Sequence, residues 1–358
     1  MVDCEKIAAS DTQAIRNAKR WTFNGSSVWK VIHSVSDRSR CGTITSLFGF
    51  PDMPLSNEEK EFPLSYGMLL YKDSVQILFL LSTLYQPQNQ FCIALDCKSS
   101  DQFKREIAII AECFPNIHLL YVPSVIWGAY SVLQGVYTCL EFLANLNADW
   151  KYYQVNHTSP LQLYKSSLSA TFSRQSADFI VKHHLTTVLL QYLTKAECPD
   201  EGFWTTLAGS PWTYPMPGSF NAAQFHQKLQ SIFGTTAYAR GERSFGLYQP
   251  EKYYISRFQV WFHHHVPCYG KHVKQSCVFG VRDVPGLLSR PELMVHKFYM
   301  DFQPAAYFCM YEAVRRRTHD PNWSFDAKEY GNLPGPRMQR GEDWEKIDVV
   351  SPSGLDFY

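Results

Sequence analysis

Two adjacent carboxylates are candidates for acid–base chemistry. They are Asp200 and Glu201, in the segment Cys198-Pro199-Asp200-Glu201-Gly202-Phe203-Trp204, between a turn signal and an aromatic pair. Neighbouring carboxylates raise each other's proton affinity and aromatic groups exclude water, so one of the two is suited to act as a general base near neutral pH. The alternative is a helix start, in which Pro199 opens the first turn and the acidic pair faces the positive end of the helix dipole. The segment alone leaves both interpretations open.

Two isolated lysines are candidates for binding phosphate. Lys274 and Lys297 each interrupt apolar sequence, and a lysine acts as a point charge on phosphate. Ordinary surface positions are the alternative, because lysine side chains are mostly exposed. The chain contains no Asp-x-Asp triplet, the usual carboxylate clamp for a metal-bound sugar nucleotide. A diphosphate ligand would therefore need protein cations.

The elements that must position these residues follow an alternating pattern. Strand-like runs at 66–71, 91–95, 117–122 and 151–155 are separated by three helical stretches that end near residues 84, 113 and 146. Such alternation predicts right-handed crossovers and a largely parallel sheet, an α/β nucleotide-binding architecture. A polar helix is expected over 5–20, a linker over 42–61 and one long amphipathic helix after Ser173.

Asp96 ends the second predicted strand, in Ile93-Ala94-Leu95-Asp96. Ligands of parallel α/β sheets bind beyond the carboxyl ends of the strands, so Asp96 is placed to accept hydrogen bonds from a ribose or a base. The alternative is an aspartate that only caps the following turn. No glycine-rich phosphate loop follows any strand, which argues against dinucleotide-binding and P-loop functions.

Composition limits the possible partners and the compartment. The chain has 358 residues and a formal net charge of +1, so bulk electrostatics do not support nucleic-acid binding. Its ten cysteines and three possible glycosylation sequons, at Asn24, Asn156 and Asn322, indicate an oxidising secretory lumen. Consecutive His263, His264 and His265 cannot all point one way, so they are a poor set of metal ligands.

Several segments, in order and spacing, resemble one family of enzymes. They are residues 55–63, 85–89, 92–96, 150–152, 199–204, 276–280 and 296–298. Together they are similar to the core-2/I-branching β-1,6-N-acetylglucosaminyltransferases, glycosyltransferase family 14, and most of all to its divergent nematode-type members. The similarity runs from Cys4 to about Pro334 and is weak over 160–197 and 210–253.

This resemblance implies a GT-A fold and an inverting transfer of N-acetylglucosamine from UDP-N-acetylglucosamine (UDP-GlcNAc) without a metal ion. The acceptor is a sugar 6-hydroxyl of an O-glycan, and Glu201 matches the family's general base. Asp96, Lys274 and Lys297 match donor-binding positions, and Trp261 matches a tryptophan that contacts the acceptor. Trp127 stands where a donor-site tyrosine is usual.

The resemblance also implies four disulfide bridges and a location. The pairs carried over by position are Cys4–Cys309, Cys41–Cys113, Cys92–Cys139 and Cys268–Cys277, which leaves Cys97 and Cys198. Members are type II membrane proteins of the Golgi, so we expect the Golgi lumen and a membrane anchor that lies outside this sequence. The expected organisation is an N-terminal segment over 1–61, a catalytic domain over 62–334 and a tail over 335–358. The catalytic domain divides into a donor half, 62–160, and an acceptor and base half, 161–334.

Departures from the family pattern keep two alternatives open. Lysine replaces the usual arginine at Lys274 and gives up bidentate geometry on phosphate, and Tyr71-Lys72 replaces a histidine pair. One alternative is a non-catalytic glycan-binding relative with a decayed donor site. The other is a xylosyltransferase-like activity of the same family.

Overall fold

Alternating strands and helices fold residues 64–154 into a mostly parallel sheet. The computed structural model describes residues 2–148, 152–154, 163–164, 169–224, 227, 256–262, 266–320, 322–323, 327–333, 336–337 and 340–342. The strands are β1 Leu64–Leu70, β2 Gln90–Asp96, β3 Ile117–Val122, β4 Tyr152–Gln154, β5 Thr171–Ser173, β6 Phe258–Gln259, β7 Lys271–Val273, β8 Ser276–Val278 and β9 Val295–His296. The predicted strands at 66–71, 91–95, 117–122 and 151–155 correspond to β1–β4.

The helices in these ranges are α1 Cys4–Ala8, α2 Thr12–Ala18, α3 Ser26–His33, α4 Asp37–Phe48, α5 Asn57–Glu61, α6 Ser74–Leu84, α7 Asp101–Cys113, α8 Tyr130–Asn145, α9 Arg174–Lys182, α10 His184–Leu193, α11 Trp204–Ala208, α12 Val284–Leu288, α13 Ala305–His319 and α14 Ala327–Gly331. Short 3₁₀ helices cover Pro199–Glu201 and Val281–Asp283. None of the helices within the described ranges is long and apolar enough to cross a bilayer.

The chain forms two compact units. We call Trp29–Gln227 the sheet unit, and we call Met1–Val28 together with Lys228–Tyr358 the split unit. In the sheet unit the strand order is β3-β2-β1-β4-β5, in which β4 and β5 alone are antiparallel neighbours. This arrangement confirms the prediction of an α/β chain with a largely parallel sheet, and it is consistent with a GT-A-like fold.

Helices cover both faces of the sheet because β2 is apolar on both sides. Successive strand residues point to opposite faces, and β2 is buried from Phe91 to Asp96. Cys92 faces α8 and is bridged to Cys139 there. On the opposite face, Phe91 stacks on Tyr85, which directly follows α6, with ring centroids 5.8 Å apart.

Two short strand pairs and the chain ends build the split unit. The hairpin β7–β8 is antiparallel, and β6 pairs with β9 in parallel. The bridge Cys4–Cys309 ties α1 to α13, and Cys268–Cys277 fastens the segment before the hairpin to β8. With Cys41–Cys113 and Cys92–Cys139, these are the four pairs that the resemblance implies.

Two helix predictions and one linker prediction were wrong. The expected helix over 5–20 is two helices, because Ser10 has left-handed backbone and Asp11 caps α2. The expected linker over 42–61 is largely helical, with α4 anchored by its buried Ile44 and Phe48.

The long helix expected after Ser173 is broken at His183. This residue has extended backbone, and its Nδ1 accepts a hydrogen bond from the N–H of Leu185 and so caps α10. Its ring also packs between Phe179 and Tyr214, at centroid distances of 4.9 and 4.7 Å. Ring packing and capping together stabilise the break between α9 and α10. Neither interaction can be seen in the hydrophobic periodicity of the sequence.

Candidate active site

Asp96 is buried at the carboxyl end of β2 and holds the backbone of two loops. Its Oδ1 accepts hydrogen bonds from the N–H of Lys98 at 3.0 Å and from the N–H of Val125 at 3.3 Å. The first bond caps the turn after β2, which was the alternative interpretation of this residue. The second bond reaches the loop that follows β3, so Asp96 also positions the neighbouring strand end.

We call this loop, residues 123–129, the β3 loop. The N–H of Ala129 donates to the carbonyl of Ile126 at 3.1 Å, which closes a tight turn around Trp127 and Gly128. Gly128 has φ +76°, a left-handed conformation that favours glycine. The turn points Trp127 outward, and 76% of its surface is exposed. An exposed aromatic face at the carboxyl edge of a parallel sheet is well placed to stack on a base or a sugar.

Glu201 lies on the 3₁₀ turn Pro199–Glu201, which packs directly against the β3 loop. Cys198 precedes this turn in left-handed backbone, with φ 47°, and its N–H donates to the carbonyl of Gly128 at 3.0 Å. The N–H of Glu201 then donates to the carbonyl of Cys198 at 3.0 Å. The side chain of Glu201 is half-buried. The helix-start interpretation of the acidic pair holds locally, because Pro199 opens a short 3₁₀ helix that carries Asp200 and Glu201. The general-base interpretation stays a prediction.

The aromatic pair after Glu201 anchors the turn in the core of the sheet unit. Phe203 is fully buried and contacts Tyr137 of α8, with ring centroids 6.2 Å apart. Trp204 is 3% exposed and packs on Phe172 of β5 at 4.7 Å. The two rings therefore fix the position of Glu201 through the backbone, since they point into the core.

In the split unit, the hairpin β7–β8 presents Lys274 at its tip. Lys274 and Gln275 have φ of 49° and 66°, the backbone of a type I′ turn, which suits the twist of a two-residue hairpin. The side chain of Lys274 is exposed. The preceding residue, Val273, has its carbonyl 3.5 Å from the ammonium of Lys297.

Lys297 and Trp261 flank the same hairpin. The peptide groups of Lys297 hydrogen-bond to Phe279 at 2.9 Å and to Cys277 at 3.4 Å. On the other side Trp261 pairs with Ser276, and the N–H of Phe262 donates to the carbonyl of Gln275 at 2.7 Å. The structure thus gathers three residues singled out from the sequence, Trp261, Lys274 and Lys297, around one hairpin.

His296, the neighbour of Lys297, is held neutral. Burial lowers the pKa of His296 to about 3, and the positive charges of Arg257 and Lys297 act in the same direction. Because the His296 imidazole is neutral at physiological pH, it adds no positive charge beside Lys297.

The remaining residues of interest are distributed as follows. Cys97 and Cys198 carry thiols, and both Asn24 and Asn322 are exposed, as a glycosylation site requires. Asn156 and the run His263–His265 lie outside the described residues. Within the described ranges, no three His, Cys, Asp or Glu side chains converge as metal ligands do.

One residue of this region, Lys98, was missed at the level of sequence. Its ammonium lies 3.5 Å from Oδ2 of Asp96 and hydrogen-bonds to the carbonyl of Val125. A lysine two positions after a strand-ending aspartate was the available signal, and a single lysine in a polar turn carries little information by itself.

Comparison with known proteins finds a family model that matches part of the sheet unit. Residues 64–156, from β1 to just beyond β4, match the family model of the Core-2/I-Branching enzyme. This part of the chain is similar to the core-2/I-branching enzymes.

Similarity to members of the core-2/I-branching family extends well beyond the matched residues. A human β-1,3-galactosyl-O-glycosyl-glycoprotein β-1,6-N-acetylglucosaminyltransferase is 23% identical over 384 residues, covering 88% of this chain and 85% of the human protein. The human N-acetyllactosaminide β-1,6-N-acetylglucosaminyl-transferase is 24% identical, and the alignment covers 89% of this chain and 91% of that protein. A sheep β-1,3-galactosyl-O-glycosyl-glycoprotein β-1,6-N-acetylglucosaminyltransferase 3 is 23% identical, and the alignment covers 88% of this chain and 82% of the sheep protein.

Asp96 and Trp127 lie inside the part that matches the core-2/I-branching model, whereas Glu201, Trp261, Lys274 and Lys297 lie beyond it. The match therefore covers nearly all of residues 62–160, the expected donor half.

Proposed function

We propose that this chain transfers N-acetylglucosamine from UDP-GlcNAc to a sugar 6-hydroxyl of an O-glycan, with inversion and without a metal ion. The names of its relatives, all β-1,6-N-acetylglucosaminyltransferases, support the sugar and the linkage. The observation that carries the proposal is the hydrogen bond between Cys198 and Gly128, because it joins the turn of Glu201 to the exposed Trp127 loop.

Glu201 is the proposed general base. It takes the proton of the acceptor 6-hydroxyl as that oxygen attacks the anomeric carbon opposite the bond to UDP. The new C–O bond forms while the C–O bond to the diphosphate breaks, and its electron pair leaves with UDP. A half-buried carboxylate on a backbone-anchored turn suits this role, since general-base catalysis requires a fixed position within hydrogen-bond reach of the hydroxyl.

Lys274 and Lys297 are the proposed partners of the departing diphosphate. Negative charge grows on the leaving oxygen in the transition state, and fixed cations stabilise it there. The ammonium of Lys297 lies beside the backbone of the hairpin whose tip carries Lys274. One lysine at the tip of a hairpin and a second beside it support a role for protein cations where other sugar-nucleotide enzymes use a metal.

Trp127 is the proposed donor contact and Trp261 the proposed acceptor contact. A flat apolar face suits the C–H surface of a sugar ring or the face of uracil. Asp96 contributes as the anchor of the β3 loop through Oδ1, and its Oδ2, which accepts neither of these backbone bonds, retains acceptor capacity for a donor hydroxyl.

The proposed location is the Golgi lumen, with attachment to the Golgi membrane. Four disulfide bridges fit an oxidising compartment of the secretory pathway. The exposed Asn24 and Asn322 are compatible with glycosylation there.

The test is a UDP-sugar panel with O-glycan acceptors, run in the presence of a chelator. We expect transfer from UDP-GlcNAc that persists in chelator and falls by about 10² or more in Glu201→Gln. The matched control is Glu197→Gln, an exposed carboxylate four residues earlier, which keeps wild-type activity. Transfer only from UDP-xylose, abolition by chelator, or full activity of Glu201→Gln would each overturn the corresponding part of the proposal.

A further inference from the structure

We infer that Lys98 is a positioning residue of the donor site, whose ammonium fixes the β3 loop and with it Trp127. The inference rests on the proposed function for its kinetic consequences. Its structural basis is a set of contacts at the carboxyl ends of β1, β2 and β3.

The first contact is with Asp96, whose side chain is 3% exposed. A carboxylate at that depth is costly unless it is paired and hydrogen-bonded. Lys98 supplies both a backbone N–H to Oδ1 at 3.0 Å and an ammonium 3.5 Å from Oδ2. The Lys98 side chain is 42% exposed, so the pair joins a buried carboxylate to a partly exposed lysine.

The second contact is with the β3 loop. The ammonium of Lys98 donates to the carbonyl of Val125, while the N–H of Val125 donates to Asp96. The Lys98–Asp96 pair therefore holds both the N–H and the carbonyl of Val125. Trp127 follows two residues later, so these bonds set where its indole stands.

The third contact reaches β1. The ammonium lies 5.4 Å from the centroid of the Tyr71 ring, and the hydroxyl of the adjacent Ser99 donates to the Tyr71 carbonyl at 2.9 Å. The segment Lys98–Ser99 thus ties together the ends of three parallel strands. Donor ligands of such sheets bind at this edge, which makes the pair relevant to binding as well as to folding.

Removal of the ammonium should move the β3 loop without dismantling the sheet. Asp96 would keep two N–H donors, but the Val125 carbonyl would lose its partner. A lysine that serves stability alone predicts a lower Tm with donor binding unchanged. A positioning role predicts weaker donor binding and a displaced Trp127 in a protein that remains folded.

The experiment compares Lys98→Met, Lys98→Gln and Lys98→Arg with the control Lys104→Met. Lys104 lies on α7 in an ion pair with the exposed Asp101, at 3.5 Å. We expect KM for UDP-GlcNAc to rise about tenfold or more in Lys98→Met, as loss of a charge-assisted hydrogen bond would produce, with KM for the acceptor unchanged. Lys98→Arg should restore most of the donor affinity, and Lys104→Met should match the wild type.

A second measurement does not depend on activity. In protein labelled with 5-fluorotryptophan, the ¹⁹F resonance of Trp127 is assigned by its loss in Trp127→Phe. We expect this resonance to shift or broaden in Lys98→Met and Lys98→Gln and to return towards its wild-type position in Lys98→Arg. An unmoved Trp127 resonance in folded Lys98→Gln would overturn the inference. If the wild type transfers no sugar, the proposed function fails, whereas a displaced resonance still supports the role of Lys98.

Discussion

The backbone N–H of Cys198 donates a hydrogen bond to the carbonyl oxygen of Gly128 at 3.0 Å. Both residues have left-handed backbone, with φ of 47° and +76°. This bond joins the turn that ends in Glu201 to the loop that presents Trp127. In the proposed reaction, the group that removes the proton and the group that contacts the donor therefore share one backbone support.

Gly128→Ala should reduce transfer more than it reduces stability. A side chain at φ +76° is strained by about 1 kcal/mol, and a Cβ there would lie 3.7 Å from the sulfur of Cys198, an ordinary contact. The cost is therefore chiefly backbone strain, which is relieved by movement of the β3 loop. Because small displacements of reacting groups cost up to about 10² in rate, we expect a clear fall in kcat with a small change in Tm.

The control for this variant is Gly42→Ala. Gly42 lies within α4, and nothing lies within 4 Å of the Cβ that would be added. Alanine should stabilise the helix by up to about 1 kcal/mol and leave transfer unchanged. Full activity of Gly128→Ala would show that the two segments move independently.

Lys274→Gly should distinguish the effect of the Lys274 charge on donor binding from the effect of the left-handed backbone at the hairpin tip. Glycine relieves the left-handed position, so Tm should hold or rise, while KM for UDP-GlcNAc should increase because a cation is lost. Gln275→Gly relieves the next position of the same turn and removes no charge, so it should keep wild-type kinetics. Equal kinetic effects of the two glycines would assign the change to the turn rather than to the ammonium.

His296 should make the folded protein less stable in acid. Its pKa falls from the ordinary 6.5 to about 3 on folding, so between these values the unfolded chain binds a proton that the folded chain does not. The stabilising contribution is thus fully present above pH 6.5 and is lost progressively as the pH falls towards 3. His296→Gln should flatten the pH dependence by up to about 1.4 kcal/mol per pH unit in this window. Urea unfolding at a series of pH values measures the slope, and an unchanged slope would contradict the assignment.

The bridge Cys92–Cys139 should contribute strongly to the stability of the sheet unit. It joins β2 to α8, and both half-cystines are buried. Replacing both residues by alanine should lower the free energy of unfolding by about 2–5 kcal/mol. The bridge Cys268–Cys277 closes a separation of 9 residues rather than 47, so its loop entropy is smaller by roughly 1.5 kcal/mol. Denaturant unfolding of the two double variants tests the order, which equal losses would contradict.

Much of the sheet could be predicted because its signals are local. The apolar run of β2 and the helical period of α8 are properties of short segments, and a buried parallel strand leaves a continuous apolar pattern. The helix break at His183 could not be predicted in the same way. It depends on the ring of Tyr214, which is distant along the chain and adjacent in space.

The residues of the candidate site show the same difference between local sequence signals and long-range contacts. Glu201, Lys274 and Lys297 were found from residue type, neighbouring sequence and resemblance to a family, all of which a linear sequence contains. Lys98 was missed because its significance comes from contacts with Tyr71 and Val125, on two other strand ends.

The sequence by itself determined the α/β class, the resemblance to a family of enzymes and the residues with suitable chemistry, because periodicity and motif order are encoded along the chain. Only the tertiary structure decided that Asp96 is a buried anchor, that Gly128 supports Cys198, and that the Lys297 ammonium reaches the hairpin of Lys274. Each of these depends on the distance between groups far apart in sequence. Such distances are set by how strands and loops pack, and the order of residues does not record them.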